Sequence, residues 1–192
     1  MSGIFILLVG PSGSGKDTLL KYALSQFPDL VYPPSYTTRK IRTGESQGNP
    51  YNFISREEFE QMAGNDEFLE WAEYAGNLYG TAKKGIYDPI KNGDVVIKQV
   101  EVQGARQLLG VMPKENLYTI FISAGPWKEL EERIRGRGSI TEEAIQKRKA
   151  RFEDEMTFME KADAVVENRN GKLEEAKQQL KEVISEVKET RV

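Results

Sequence analysis

Six consecutive apolar residues, Ile4 to Val9, run directly into Gly10-Pro-Ser-Gly-Ser-Gly-Lys-Asp-Thr18, and a helical pattern opens at Lys16. A buried strand, a glycine-rich turn and a helix start in that order make a phosphate-binding loop. Glycines let the backbone turn its N–H groups inward onto an anion, and the helix N-terminus adds partial positive charge. Lys16 can reach the β- and γ-phosphates of a nucleoside triphosphate. Gly10, Pro11, Ser12, Gly13, Ser14, Gly15, Lys16, Asp17 and Thr18 form the candidate ATP cradle.

Position 17 departs from the usual loop, which carries Ser or Thr there as a Mg²⁺ ligand. Two readings of Asp17 stand side by side. Its carboxylate is a hard oxygen donor that suits Mg²⁺. It is also an acid in the first turn of a helix, where the dipole favours it. Thr18 offers a hydroxyl to the α-phosphate.

Composition narrows the chemistry. Among 192 residues there is no cysteine and no histidine, so disulfides, thiolate or imidazole metal sites and His-based triads are excluded. Lys, Arg, carboxylates, hydroxyls, backbone N–H groups and a bound ion remain, and phosphoryl transfer needs little else. A net charge of −3 argues against nucleic-acid binding by overall charge. The apolar run at the start is too short for a signal peptide or a membrane span, so a cytoplasmic location is expected, with no membrane partner.

Apolar runs alternate with helical patterns, which predicts an α/β fold with a mainly parallel sheet and helices on both faces. Strands are expected at 4–9, 95–100, 117–122 and 164–166, and helices at 16–26, 104–111, 127–135, 141–161 and 172–188. Residues 33–82 break the alternation with Tyr, Thr, Arg and turn residues. Ser55-Arg-Glu-Glu58 reads as a capping box opening a short helix there, and 68–74 reads as a strand. An inserted lobe with its own small mixed sheet is expected. Residues 126–150 are rich in Arg and Lys.

The chain resembles the guanylate kinase family of P-loop enzymes. The resemblance is carried by Gly10–Thr18, Ser35-Tyr-Thr-Thr-Arg39 with Arg42, Gly44-Glu45, Tyr51-Asn-Phe53 and Glu67-Phe-Leu-Glu70-Trp71. It continues through Gly76-Asn-Leu-Tyr79-Gly80-Thr81, Val102-Gln-Gly-Ala105, Arg133-Ile-Arg135-Gly-Arg137-Gly138, Glu142-Glu143 and Arg148. It implies one domain: a core of 1–32, 83–125 and 151–192, a GMP-binding lobe of 33–82 and a short helical lid of 126–150. It implies Mg²⁺-dependent transfer of phosphate from ATP to GMP, with dGMP as a further acceptor, by a monomer or homodimer.

The resemblance also implies roles. Arg39, Arg42, Tyr51 and Tyr79 would hold the acceptor phosphate, for which planar guanidinium forks are suited. Glu70 would accept from guanine N1–H and the 2-amino group, with Ser35 and Thr81 near O6. Lys16, Arg39, Arg135, Arg137 and Arg148 would carry catalysis, Asn168 would lie near the adenine, and Asp17 and Glu101 would serve the metal. An Arg-rich helix is also an ordinary solvated face, and Arg133 keeps that reading. A second departure stands at Gln99-Val-Glu101-Val-Gln-Gly, where the family has Asp-x-Asp-x-Gln-Gly. Gln99 keeps one acceptor oxygen for guanine but loses the charge, so Gln99→Asp is expected to tighten GMP binding. Two other readings remain at this point: a kinase for an acceptor such as ribose bisphosphate, whose family also has Asp at the position of Asp17, and a non-catalytic binding module.

Overall fold

The computed structural model describes residues 3–74, 76–136 and 138–190. The core sheet has four parallel strands: β1 (Ile4–Val9), β7 (Val95–Gln99), β8 (Leu117–Ser123) and β9 (Ala164–Glu167), in the order β7-β1-β8-β9. The strand β1 lies inside the sheet, which is why it is apolar on both faces and fully buried. Its even residues Ile4, Ile6 and Leu8 pack beneath α1 (Lys16–Gln26) and α7 (Leu173–Glu189). Its odd residues Phe5, Leu7 and Val9 pack against α3 (Lys83–Lys91) and α4 (Val102–Val111). The α/β class with helices on both faces is as the sequence predicts.

The second sheet belongs to the inserted segment. It comprises β2 (Ser35–Thr37), β3 (Ser46–Gln47), β4 (Pro50–Phe53), β5 (Phe68–Tyr74) and β6 (Asn77–Ala82), in the order β3-β4-β2-β6-β5 with mixed directions. One face is covered by α2 (Arg56–Gly64), through Phe59, Phe68 and Leu78. The capping box forms with both arms: Glu58 N–H donates to Ser55 Oγ at 3.1 Å and Ser55 N–H to Glu58 Oε2 at 2.8 Å.

A third small cluster joins Leu130 and Ile134 of α5 (Trp127–Arg135) to Ile145 and Phe152 of α6 (Glu142–Met156). Here the structure corrects two expectations. The helix expected over 141–161 ends at Met156, and a 3₁₀ turn follows at Met159–Lys161. Arg106 of α4 donates to Asp154 Oδ2, to Asp154 O and to Thr157 Oγ1 at 2.8–3.1 Å, and this clamp sits at the break. The helix α3 was not expected, because Gly85 and Pro89 both lie inside it. Ile86 and Ile90 bury against the sheet, and packing overrides propensity.

Candidate active site

The phosphate loop closes the top of β1. Gly15 stands at the helix start with φ of +95°, a left-handed conformation, and a Cβ there would lie 2.3 Å from Asn168 Nδ2. Only glycine meets both demands. Asn168 is buried and its amide donates to Ser14 O at 2.7 Å, so it braces the loop from below. Arg133 in turn donates to Asn168 O and to Asn170 Oδ1, which gives it a structural partner as well as a place near the loop. A groove of about 230 Å³ opens beside them, lined by Gly15, Thr18, Arg133, Asn168 and Arg169 among others.

Lys16 is only 7% exposed, and its Nζ folds back to Gly10 O at 2.5 Å and Pro11 O at 3.1 Å. Glu101, which precedes α4, lies 3.5 Å from the same ammonium and is itself exposed. A residue the sequence reading missed joins them from α6. Burial pushes the Glu155 carboxyl up to about 7, the nearby Glu101 charge adding to the effect and Lys16 opposing it. Arg106 of α4 holds the neighbouring Asp154.

Strand register brings together the residues expected to take the acceptor. Partners in register share a face of a sheet. Ser35 pairs with Tyr51, Thr37 with Tyr79, and Thr81 with Glu70. Ser35 and Thr37 lie two apart on β2, as do Tyr79 and Thr81 on β6. The chain of pairings therefore puts Ser35, Tyr51, Tyr79, Thr81 and Glu70 on one face. A bulge between Phe68 and Glu70 makes this compatible with packing. It lets Phe68 and Trp71 both reach Phe59 on the other face, while Glu70 keeps to the site face.

Arg39 lies with the tyrosines. Its guanidinium centre is 5.5 Å from the Tyr51 ring centre, and the Tyr51 and Tyr79 rings meet edge to face at 5.8 Å. Glu45 grips Arg39 with two bonds of 2.8 and 3.0 Å and also accepts from the Arg42 backbone N–H at 2.9 Å. This carboxylate orients the cationic fork.

Glu70 is the most enclosed acid of the site. Thr81 Oγ1 donates to Glu70 Oε1 at 2.6 Å, and Glu70 Oε2 lies 3.0 Å from where a Cβ on Gly104 would be. Burial raises the Glu70 carboxyl above the usual range; the Thr81 bond and the Lys98 charge oppose it. Lys98 is the second residue missed. It is 1% exposed, and its Nζ donates to Pro33 O at 2.7 Å, where the lobe leaves the core. Burial lowers its pKa to about 8. A lone Lys inside Val95-Val-Ile-Lys-Gln99 was the available signal.

The remaining positions fall as follows. Arg135 is exposed and pairs with Glu131 and Glu142 at 2.7 and 2.8 Å, within its own segment. Arg148 is half-buried on α6. Arg137 lies outside the described residues. Asp17 is exposed in the first turn of α1, and its Oδ1 accepts from Gln99 Nε2 at 3.1 Å, so the two departures from the family pattern meet.

The guanylate kinase family model matches residues 3–187. The chain belongs to the guanylate kinase family. A guanylate kinase of Trichormus variabilis is 44% identical over 87% of this chain and 83% of its own length. One from Trichodesmium erythraeum is 40% identical over 98% of this chain and 99% of its own. The crystal structure of a guanylate kinase from Anaplasma phagocytophilum superposes with a TM-score of 0.71 at 28% identity, covering 96% of this chain and 85% of that one. Among the described residues no helix is long and apolar enough to cross a membrane.

Proposed function

We infer that the chain is a guanylate kinase and phosphorylates GMP at the expense of ATP. The observation that carries this reading is the pairing of an intact phosphate loop with one lobe face bearing Glu70, Thr81, Tyr51 and Tyr79. Glu70 with Thr81 fits the N–H and carbonyl edge of guanine, and the family match lends no support to a sugar phosphate. An intact lysine-bearing loop is superfluous in a non-catalytic module.

In the reaction, an oxygen of the GMP phosphate bonds to the γ-phosphorus of ATP. The bond from that phosphorus to the bridging oxygen breaks, and ADP leaves with the electron pair, so no covalent enzyme intermediate is needed. Lys16 leaves its loop carbonyls to hold the β- and γ-phosphates, and the groove beside Asn168 takes the adenosine end. Arg39, Arg42, Tyr51 and Tyr79 seat the acceptor phosphate, and Glu45 holds Arg39 in line. Glu70 accepts from guanine N1–H and the 2-amino group, and Ser35, Thr81 and Gln99 complete the base contacts. AMP offers an acceptor at N1 where guanine offers a donor, leaving buried groups unpaired at about 1–3 kcal/mol each. dGMP keeps the same base edge and is a further acceptor.

Asp17 and Glu101 are hard-oxygen donors flanking Lys16 and suit Mg²⁺, which keeps several waters and takes its other ligands from substrate phosphates. Bound there, Mg²⁺ would neutralise charge on the β- and γ-phosphates. Residues 33–82 act as the acceptor lobe and 126–150 as the lid. Arg135 and Arg148, with Arg137, meet the transferring phosphate when the lid closes and water is excluded.

An acceptor screen with ATP and Mg²⁺ over GMP, dGMP, IMP, AMP, UMP and ribose bisphosphate tests the reading. GMP is expected to lead AMP by at least about tenfold in kcat/KM. Equal rates with AMP, or activity on the sugar phosphate alone, would sink it.

A further inference from the structure

The two ends of the Gln99 amide have opposite surroundings. Nε2 donates to Asp17 Oδ1 at 3.1 Å, whereas Oε1 is buried without a hydrogen-bond partner. A carboxylate only accepts, so it takes the NH₂ end of an amide and repels the carbonyl end. Asp17 therefore fixes which way the amide faces. A free glutamine can turn over and present two donors instead of an acceptor to the same place.

The pair stands between the two substrate sites. Asp17 immediately follows Lys16 of the phosphate loop, and Gln99 ends β7 beside Lys98, whose charge Glu70 feels. Tyr51 of the acceptor face feels the Asp17 charge; Tyr32 feels it too and hydrogen-bonds the Gln99 side chain, but a hydroxyl both donates and accepts, so only the carboxylate sets the direction of the amide. A buried carbonyl without a donor is a standing penalty, and the N–H edge of guanine is a donor of the kind it lacks.

We propose that Asp17 is a positioning residue for the acceptor base: it locks the Gln99 amide so that its oxygen, and not its NH₂, meets guanine. This rests on the GMP reading above. The role is separate from any service of Asp17 to the metal, because Oδ1 faces Gln99 and the other oxygen remains for a cation. It also makes acceptor choice depend on a residue of the ATP loop.

The test is GMP binding by calorimetry in EDTA, without ATP, so that metal service is silent. Asp17→Asn keeps the shape but no longer dictates the direction of the amide. It is expected to weaken GMP about tenfold, the scale of one hydrogen bond. The double variant Asp17→Asn/Gln99→Glu rebuilds one donor and one acceptor with their owners exchanged, and is expected to return to within about threefold of wild type. Thermal melts of all three proteins accompany the titrations. That recovery, which a merely structural role for Asp17 would not produce, supports the proposal even where Asp17→Asn proves unstable. Wild-type affinity in Asp17→Asn, or a double variant no better than Asp17→Asn, overturns it. A wild type that binds no GMP at all overturns the acceptor reading, and the proposal with it.

Discussion

The phosphate loop and the acceptor face do related work with different materials. The loop is one contiguous stretch, and what surrounds Lys16 is largely backbone: two carbonyls at 2.5 and 3.1 Å, with Asn168 holding a third carbonyl of the loop. The acceptor site is drawn from β2, β4, β5 and β6 and from the connection between β2 and β3, and it is made of side-chain pairs, Arg39 with Glu45 in that connection and Glu70 with Thr81 across β5 and β6. Main-chain groups do not titrate and are common to every sequence. Side-chain groups in a buried setting titrate and discriminate. On the proposed function, the loop binds phosphate, and the lobe chooses the substrate and gives that choice its pH dependence.

The largest effect is expected from the loop. Lys16→Ala should lower kcat by about a thousandfold while GMP binding in the absence of ATP stays near wild type, because the lost charge faces the transferring phosphate. A parallel loss of GMP affinity would show that the two regions are not separable. Next comes the fork. Glu45→Gln should raise the KM for GMP roughly tenfold and leave the KM for ATP alone, since it weakens only the charge-assisted grip that orients Arg39. Steady-state kinetics with each substrate varied decides it.

A smaller effect concerns stability. Lys98 is held in the folded state with a pKa of about 8, below its ordinary 10.5. The folded protein therefore binds fewer protons than the unfolded chain between those values, and stability rises with pH across that window. Below pH 8 the full penalty of burying the ammonium is present. Lys98→Met should stabilise the protein at pH 7 by about 2 kcal/mol, after allowing for the lost bond to Pro33. The gain should fade by pH 10.5. Urea midpoints at the two pH values read it, and destabilisation at pH 7 would mean that Pro33 O, the Glu70 charge and the Tyr32 ring, 5.3 Å from the ammonium, together outweigh the cost of burying it.

The same contrast explains what was legible in the sequence. The strand, loop and α1 were readable because apolar run, glycines and helix start are consecutive, and their bounds are those expected. The capping box at Ser55 was readable for the same reason. The acceptor residues could be named from motifs, but their common face could not, because it depends on register and on the bulge after Phe68. Lys98 is one charge in an apolar strand, and nothing in the sequence brings the Pro33 carbonyl beside it. The departures at positions 17 and 99 were each visible, yet their contact spans 82 residues and exists only in the fold. That contact reverses one expectation. Gln99→Asp would set a second carboxylate against Asp17, and two such charges weaken each other. Looser GMP binding, rather than tighter, now follows.

The most direct test of the side-chain account is the ratio of kcat/KM for GMP to that for AMP, followed from pH 8 down to pH 5 in wild type and in Glu70→Gln. The two acceptors carry the same phosphate, so its titration cancels in the ratio. Glu70 has a raised pKa and must be ionised to accept from guanine. The GMP preference is therefore full at pH 8 and falls with pH through a value above that of an ordinary glutamate. In Glu70→Gln the ratio should be at least about tenfold smaller at pH 8 and flat with pH. A variant that keeps the wild-type ratio and its pH dependence would show that guanine is chosen elsewhere, and the account of the acceptor face would be wrong.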